Sequence, residues 1–245
     1  MSRTAQINLN QIGYRPGDEK RATVRGADAG TAFCVINTET GKTVLEGATD
    51  SCCELGSSGD RVSYADLSSL TVPGRYMVTA GEGIESFEFV ISDGVYDRPL
   101  KDSLKMLYLQ RCGVELSEEY AGDFAHKVCH TEKAMIYGGT DYMEVSGGWH
   151  DAGDYGRYTV PGAKAIADLL LAYELFPDSF DDDCGIPESG NGIADVLDEA
   201  RFELEWLHKM QFSDGSVSHK VTGLDFDGFI MPDVCTEKLY VLPAS

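Results

Sequence analysis

Between Gly147 and Tyr158 the chain carries its densest run of chemistry-bearing residues: Gly147-Gly148-Trp149-His150-Asp151-Ala152-Gly153-Asp154-Tyr155-Gly156-Arg157-Tyr158. Its four glycines permit unusual backbone angles and the close approach of a ligand. Trp149, Tyr155 and Tyr158 offer flat apolar faces beside polar tips, a combination suited to sugar rings. Asp151 and Asp154 stand three apart in a loop leading into a helix, so both carboxylates can face one side. Two such carboxylates can hold and deprotonate a water. The same spacing also fits a turn with one N-capping aspartate and one solvated one, and spacing alone leaves both readings open.

A second constellation is Cys112, Cys129, His130 and His150. Two thiolates and two imidazoles would fill all four positions of a tetrahedral zinc ion, leaving none for water, so such a zinc would be structural. The spacing is not that of a zinc finger, and buried thiols are the plain alternative. The adjacency of Cys129 to His130, and of His150 to Asp151, favours the metal, which would pin the loop bearing the carboxylates. The acidic run Asp181-Asp182-Asp183-Cys184-Gly185-Ile186 fails the EF-hand pattern, where its Gly185 and Ile186 are misplaced. It reads as a solvated loop capping a helix, with calcium as the alternative. Gly190-Asn191-Gly192 lacks a preceding strand and a third glycine, so a dinucleotide fold is rejected. His219 is placed at a cleft, whereas His126 and His208 read as surface residues.

The elements that must carry these residues fall into two kinds. Up to about Asp93 short alternating segments are separated by turn residues: 6–10, 21–24, 32–36, 62–65, 75–79 and 86–90. This pattern predicts an immunoglobulin-like β-sandwich, with Tyr76 buried at the start of a late strand. Beyond Asp93 the period becomes helical over 99–109, 162–175 and 193–210. In the last of these, Val196, Leu197, Ala200, Leu204, Leu207 and Met210 form the expected apolar stripe. The second region is therefore expected to be all-α.

With 41 Asp+Glu against 20 Lys+Arg, the formal net charge is −21, which argues against nucleic acid or an anionic membrane as partner. Hydrophobic residues at 42% are enough for a folded core, which excludes a disordered chain. No apolar run is long enough to span a membrane, and no signal peptide is visible at the start. Seven cysteines, an odd number, without a CxxC argue against a disulfide framework.

The run Gly148-Trp149-His150-Asp151-Ala152-Gly153-Asp154-Tyr155 resembles glycoside hydrolase family 9, the cellulases and endoglucanases with a DAGD signature. Ile7-Asn8-Leu9-Asn10-Gln11-Ile12-Gly13-Tyr14 resembles the start of the immunoglobulin-like module of that family. Glu188 to Ala200, continuing to Gln211, resembles one of its helices, and His219-Lys220-Val221-Thr222 and Phe229-Ile230-Met231-Pro232 follow in the same order. The resemblance implies a multidomain β + α chain, with a sandwich over residues 1–93 and the first helices of an (α/α)6 toroid over 94–245. It implies hydrolysis of β-1,4-glucosidic bonds in cellulose or a related β-glucan, with inversion. Asp154 would be the general base and Asp151 would help hold the water; Trp149, Tyr155, Tyr158 and His219 would meet the sugar. The family's structural zinc, held by two Cys and two His, maps onto Cys112, Cys129, His130 and His150; calcium is a further cofactor the resemblance allows, with its ligands unassigned.

An inverting mechanism needs base and acid on opposite faces of the sugar, roughly 6.5–9.5 Å apart. Nearby N–H or O–H donors must hold the base in its charged form. The family's acid is a glutamate late in the catalytic domain, and this sequence ends at Pro243-Ala244-Ser245, so no acid is nominated. The chain is accordingly expected to be a fragment or a truncated gene product, with apolar helix faces exposed. Family resemblance implies secretion, while the missing signal peptide leaves a cytoplasmic location open. Two other readings compete: a non-catalytic carbohydrate-binding remnant using Trp149, Tyr155 and Tyr158, and a metal-dependent hydrolase, which the closed ligand set disfavours.

Overall fold

A computed structural model describes residues 7–81, 83–225 and 227–244. The chain forms two compact units that divide between Leu100 and Lys101.

The first unit is built from β1 (Ile7–Asn8), β2 (Arg21–Arg25), β3 (Ala32–Asn37), β4 (Thr43–Ala48), β5 (Cys52–Glu54), β6 (Arg61–Asp66), β7 (Gly74–Ala80), β8 (Ile84–Glu85) and β9 (Phe89–Ile91). One antiparallel sheet has the order β1-β2-β6-β5; the other runs β4-β3-β7-β8, with β9 also pairing β7. Alternation decides which side chains point inward. Ala22 and Val24 of β2, Phe33 and Val35 of β3, Ala65 of β6 and Tyr76 and Val78 of β7 join one buried core. Tyr76 is buried as expected, and its hydroxyl donates to the Val72 carbonyl at 2.9 Å. β4 and β5, which sequence patterning did not show, lie at sheet edges and bury almost nothing, so neither carries an alternating signal. The single strand expected over 86–90 is split, because the Ser86 side chain accepts the Val78 N–H at 2.9 Å in place of a ladder carbonyl.

The chain continues with α1 (Asp97–Leu109), α2 (Glu118–Ala121), β10 (Ala134–Ile136), β11 (Tyr142–Met143), β12 (Arg157–Tyr158), α3 (Thr159–Leu175), α4 (Asp195–Lys209), β13 (Lys220–Thr222) and β14 (Tyr240–Leu242). The three long helices follow the predicted ranges within a few residues. The all-α expectation needs a correction, because the second unit also holds a sheet of order β11-β10-β14-β13-β12, with only β10 and β14 parallel. Its strands are two or three residues long, too short to show a period. The buried face of α4 also differs from the expected stripe. It runs through Val196, Glu199, Ala200, Glu203 and Trp206, while Leu204 is 46% exposed. Rows at i, i+3 and i+4 include these residues equally well, but a polarity-based reading skips two glutamates. On α3 only Ile166 is buried, and Leu170, Leu171 and Leu175 are exposed. No helix among the described residues is long and apolar enough to cross a membrane.

Candidate metal centre and the adjoining carboxylate loop

The site is assembled by a short pairing of two distant segments in the second unit. Arg111 and Trp149 form an antiparallel bridge, flanked by Cys112 N–H to the Gly148 carbonyl and His150 N–H to the Gln110 carbonyl, each at 2.8 Å. This places Cys112 beside His150. Cys129 and His130 arrive from the loop after α2, and His130 takes a left-handed backbone (φ 49°) that L-residues seldom adopt. One ligand atom from each of the four residues lies within 4.8 Å of all the others, and all four residues are buried.

The donor set meets the demands of a tetrahedral ion. His130 Nδ1 and His150 Nε2 face each other at 3.2 Å. Nitrogens bound at 2.0–2.1 Å to one tetrahedral ion stand about 3.3 Å apart, so the observed separation is one that a shared ion would set. Burial keeps the His150 imidazole below its ordinary pKa, in the neutral form that binds metal. The two thiols share one proton. A hydrogen bond from Cys112 is the main cause pulling Cys129 down to about 2, and burial pushes Cys112 well up. A thiolate is thus already favoured at the centre of the cluster, and a cation would release the second proton.

Beyond His150 the chain turns through the carboxylate loop. Asp151 is exposed and Asp154 half-buried. Asp154 Oδ2 accepts the Tyr158 hydroxyl at 2.8 Å, and Oδ1 accepts the Gly156 N–H at 3.2 Å. Burial, and then the bond to Asp154, raise the Tyr158 pKa, so the phenol remains a donor. Tyr155, among the described residues the other non-glycine residue with a left-handed backbone (φ 52°), packs its ring 5.0 Å from His150 and 5.7 Å from His130. Its hydroxyl donates to the Ile230 carbonyl. Tyr155 therefore joins the metal cluster to the carboxylate loop and to the segment around Ile230.

Behind the loop stands α4. Glu199 accepts the Trp149 indole N–H at 3.2 Å and pairs with Arg111 at 2.9 Å; Arg111 also forks onto Glu188. Glu203 accepts the Trp149 backbone N–H at 2.7 Å, and burial raises its pKa to about 8. A cavity of about 220 Å³ lies against Trp149, His150, Asp151, Tyr158 and Glu203.

Glycosyl hydrolase family 9 has a sequence model that matches residues 96–239, which is more than half of the chain. The chain belongs to that family. The model of the cellulase N-terminal immunoglobulin-like domain matches residues 2–84. A cellodextrinase of Butyrivibrio fibrisolvens is 38% identical over 98% of this chain. A metagenome-derived family 9 endoglucanase structure superposes with a TM-score of 0.90 at 40% identity, over 98% of this chain and 46% of that one. A zinc-binding triple mutant of another family 9 endoglucanase superposes with a TM-score of 0.86 at 37% identity, over 93% of this chain and 44% of that one. This chain spans 44% of the length of the cellodextrinase.

Within this family 9 chain the residues singled out by sequence have distinct placements. The four metal candidates converge. Asp151 and Asp154 share one loop next to them. Trp149 is 8% exposed and packs with Ile166 and Ala200, so its ring belongs to the core of the unit. The Tyr158 hydroxyl is engaged with Asp154, and Lys220 Nζ lies 5.2 Å from its ring centre. The His219 side chain is exposed, and its carbonyl accepts the Thr159 N–H at 3.1 Å, next to Tyr158. In the acidic loop, Asp182 accepts the N–H groups of Gly190 and Gly192 at 2.6 Å, and Asp195 accepts that of Cys184 at 2.6 Å. These carboxylates brace the turn that leads into α4. Arg111 carries no sequence signal, and Glu199 and Glu203 lie on a helix where no motif recommends them; the i, i+4 spacing of the two glutamates, with Trp206 three residues on, was the available signal.

Proposed function

We propose that this chain carries the general-base side of an inverting β-1,4-glucan hydrolase, with residues 1–93 as its immunoglobulin-like module and 94–245 as part of its catalytic domain. The observation that carries the reading is the setting of Asp154. An N–H and a hydroxyl aim at its two carboxylate oxygens, the support that a water-activating base requires. Asp154 takes a proton from a water that Asp151 helps to hold, and that water attacks the sugar face opposite the leaving oxygen. Tyr155, Tyr158 and His219 are the contacts proposed for a β-glucan, with Trp149 behind them. Cys112, Cys129, His130 and His150 are proposed to hold zinc, which supplies a structural cross-link when bound; four protein ligands leave no position for a reacting water. The β-glucan activity is in keeping with the cellodextrinase and endoglucanase relatives.

The test joins this chain to the remainder of a family 9 catalytic domain, which supplies the acid, and follows the anomeric products of cellopentaose by proton NMR. Inversion at a β-linkage releases the α-anomer first, and Asp154→Ala abolishes release. Hydrolysis that survives Asp154→Ala, or that first yields the β-anomer, would overturn the assignment. Cellopentaose binding without any cleavage by the completed enzyme would favour the non-catalytic carbohydrate-binding reading.

A further inference from the structure

Glu203 lies on α4 at 2% exposure, and no motif marks it. Its Oε2 accepts the Trp149 backbone N–H. Trp149 stands between Gly148 and His150, so this bond holds the Gly148–Trp149 peptide, one residue before His150 and two before Asp151. Two glycines open the space for the carboxylate. A Cβ at Gly148 would fall 3.1 Å from Oε2, and one at Gly162, on α3, would fall 2.2 Å from Oε1. The carboxylate thus occupies a slot formed by three segments and walled by residues without side chains. One turn earlier on the same helix face, Glu199 accepts the indole N–H of the same tryptophan. Trp149 is therefore held by both of its N–H groups from successive turns of α4.

A carboxyl buried this deeply costs folding free energy, and an apolar side chain of similar length would fill the space between α3 and α4 without that cost. What an apolar side chain lacks is an acceptor for the Trp149 N–H, which would become a buried orphan donor. We propose that Glu203 is a positioning residue of the carboxylate loop: through the Trp149 amide it sets the path of the chain from Gly148 to Asp151, and with it the directions of the His150 ring and the Asp151 carboxylate. This role rests on reading Asp151 to Asp154 as the catalytic loop.

The experiment compares the full chain with Glu203→Gln, Glu203→Leu and Gly162→Ala. Residue-resolved amide exchange and the visible absorption of the Co²⁺-loaded protein are the two readouts. Glutamine keeps an acceptor, so Glu203→Gln exchanges at Trp149, His150 and Asp151 within about twofold of the parent. Glu203→Leu exchanges there about tenfold faster, the protection of one lost hydrogen bond, while the central amides of α4 stay protected. Its Co²⁺ spectrum shifts because His150 is re-aimed. Gly162→Ala should be stabilising by helix propensity alone, yet it crowds the carboxylate and also speeds exchange at Trp149. The proposal is overturned if Glu203→Leu matches Glu203→Gln, if exchange rises equally along α4, or if Gly162→Ala protects Trp149. A parent chain that takes up no Co²⁺ strikes at the metal reading, and a completed enzyme without Asp154-dependent cleavage strikes at the catalytic reading; either leaves the exchange comparison to decide on Glu203.

Discussion

Gly148→Ala tests whether the close approach of the loop to α4 is required. Gly148 has φ +78°, and a Cβ there would lie 2.7 Å from both Cγ and Cδ2 of Trp206. The left-handed backbone costs a residue with a side chain about 1–2 kcal/mol. The contact is a separate cost. Carbon atoms pack best at about 3.5–4.0 Å, so the near edge of the indole must retreat by about 1 Å. Trp206 is 1% exposed, within the core cluster of Ala134, Val145, Met210, Val221 and Val241, so it can move only by disturbing packed neighbours. Overpacking of that kind costs about 1–3 kcal/mol, for a total of about 2–5 kcal/mol. Gly190→Ala is the control, since Gly190 has φ +89° with nothing within 4 Å of the added Cβ, and should lose only about 1–2 kcal/mol. Urea unfolding followed by tryptophan fluorescence resolves the two, because both tryptophans of the chain, Trp149 and Trp206, lie in the second unit. If Gly148→Ala loses no more than Gly190→Ala, the close approach does not constrain the loop and the argument fails.

Three further outcomes are expected. Stripping metal with a chelator should lower the thermal midpoint of the second unit while leaving the transition of residues 1–100 in place. At a metal concentration of 1,000 Kd the difference is about 4 kcal/mol, and calorimetry with one equivalent of Zn²⁺ restored checks it. Arg111→Met should cost about 3–5 kcal/mol in urea unfolding, because it leaves Glu199, fully buried, without its cation; a loss below 1 kcal/mol would show that Glu199 is neutral. Burial holds Glu203 at about 8, while in the unfolded chain it titrates near about 4.3. Between these values the folded chain keeps a proton that the unfolded chain has released. Its contribution is full below the unfolded pKa and is lost as pH rises through the folded one, by at most about 1.4 kcal/mol per pH unit. Urea midpoints at about pH 5.5 and 7.5 should therefore differ less in Glu203→Gln than in the parent, and equal slopes would rule Glu203 out as the group responsible.

Much of the sandwich was legible because half-buried strands write their burial as alternation: Ala22 and Val24, Phe33 and Val35, and Tyr76 and Val78 all point inward as their spacing requires. β4 and β5 were not legible, since an edge strand with both faces open imposes no pattern. The five short strands of the second unit were hidden by length alone. On α4 the reading failed for a different reason. Leu204 was assigned to the core by polarity, yet Glu199 and Glu203 occupy it, because Arg111, Trp149 and the glycine slot supply partners that a helical wheel cannot show.

What the sequence determined by itself is local: the residue types of the Cys112, Cys129, His130 and His150 set, the glycine-rich run that carries Asp151 and Asp154, and the period of each long element. What only the tertiary structure decided is pairing. Residues 110–112 meet residues 148–150 edge to edge, which brings Cys112 to His150, and α4 reaches back with two carboxylates to hold Trp149. Periodicity records which face of an element is buried, but not which distant segment covers it. That choice was made by a left-handed turn at His130, by two glycines that leave room for one carboxylate, and by the need of every buried N–H for an acceptor.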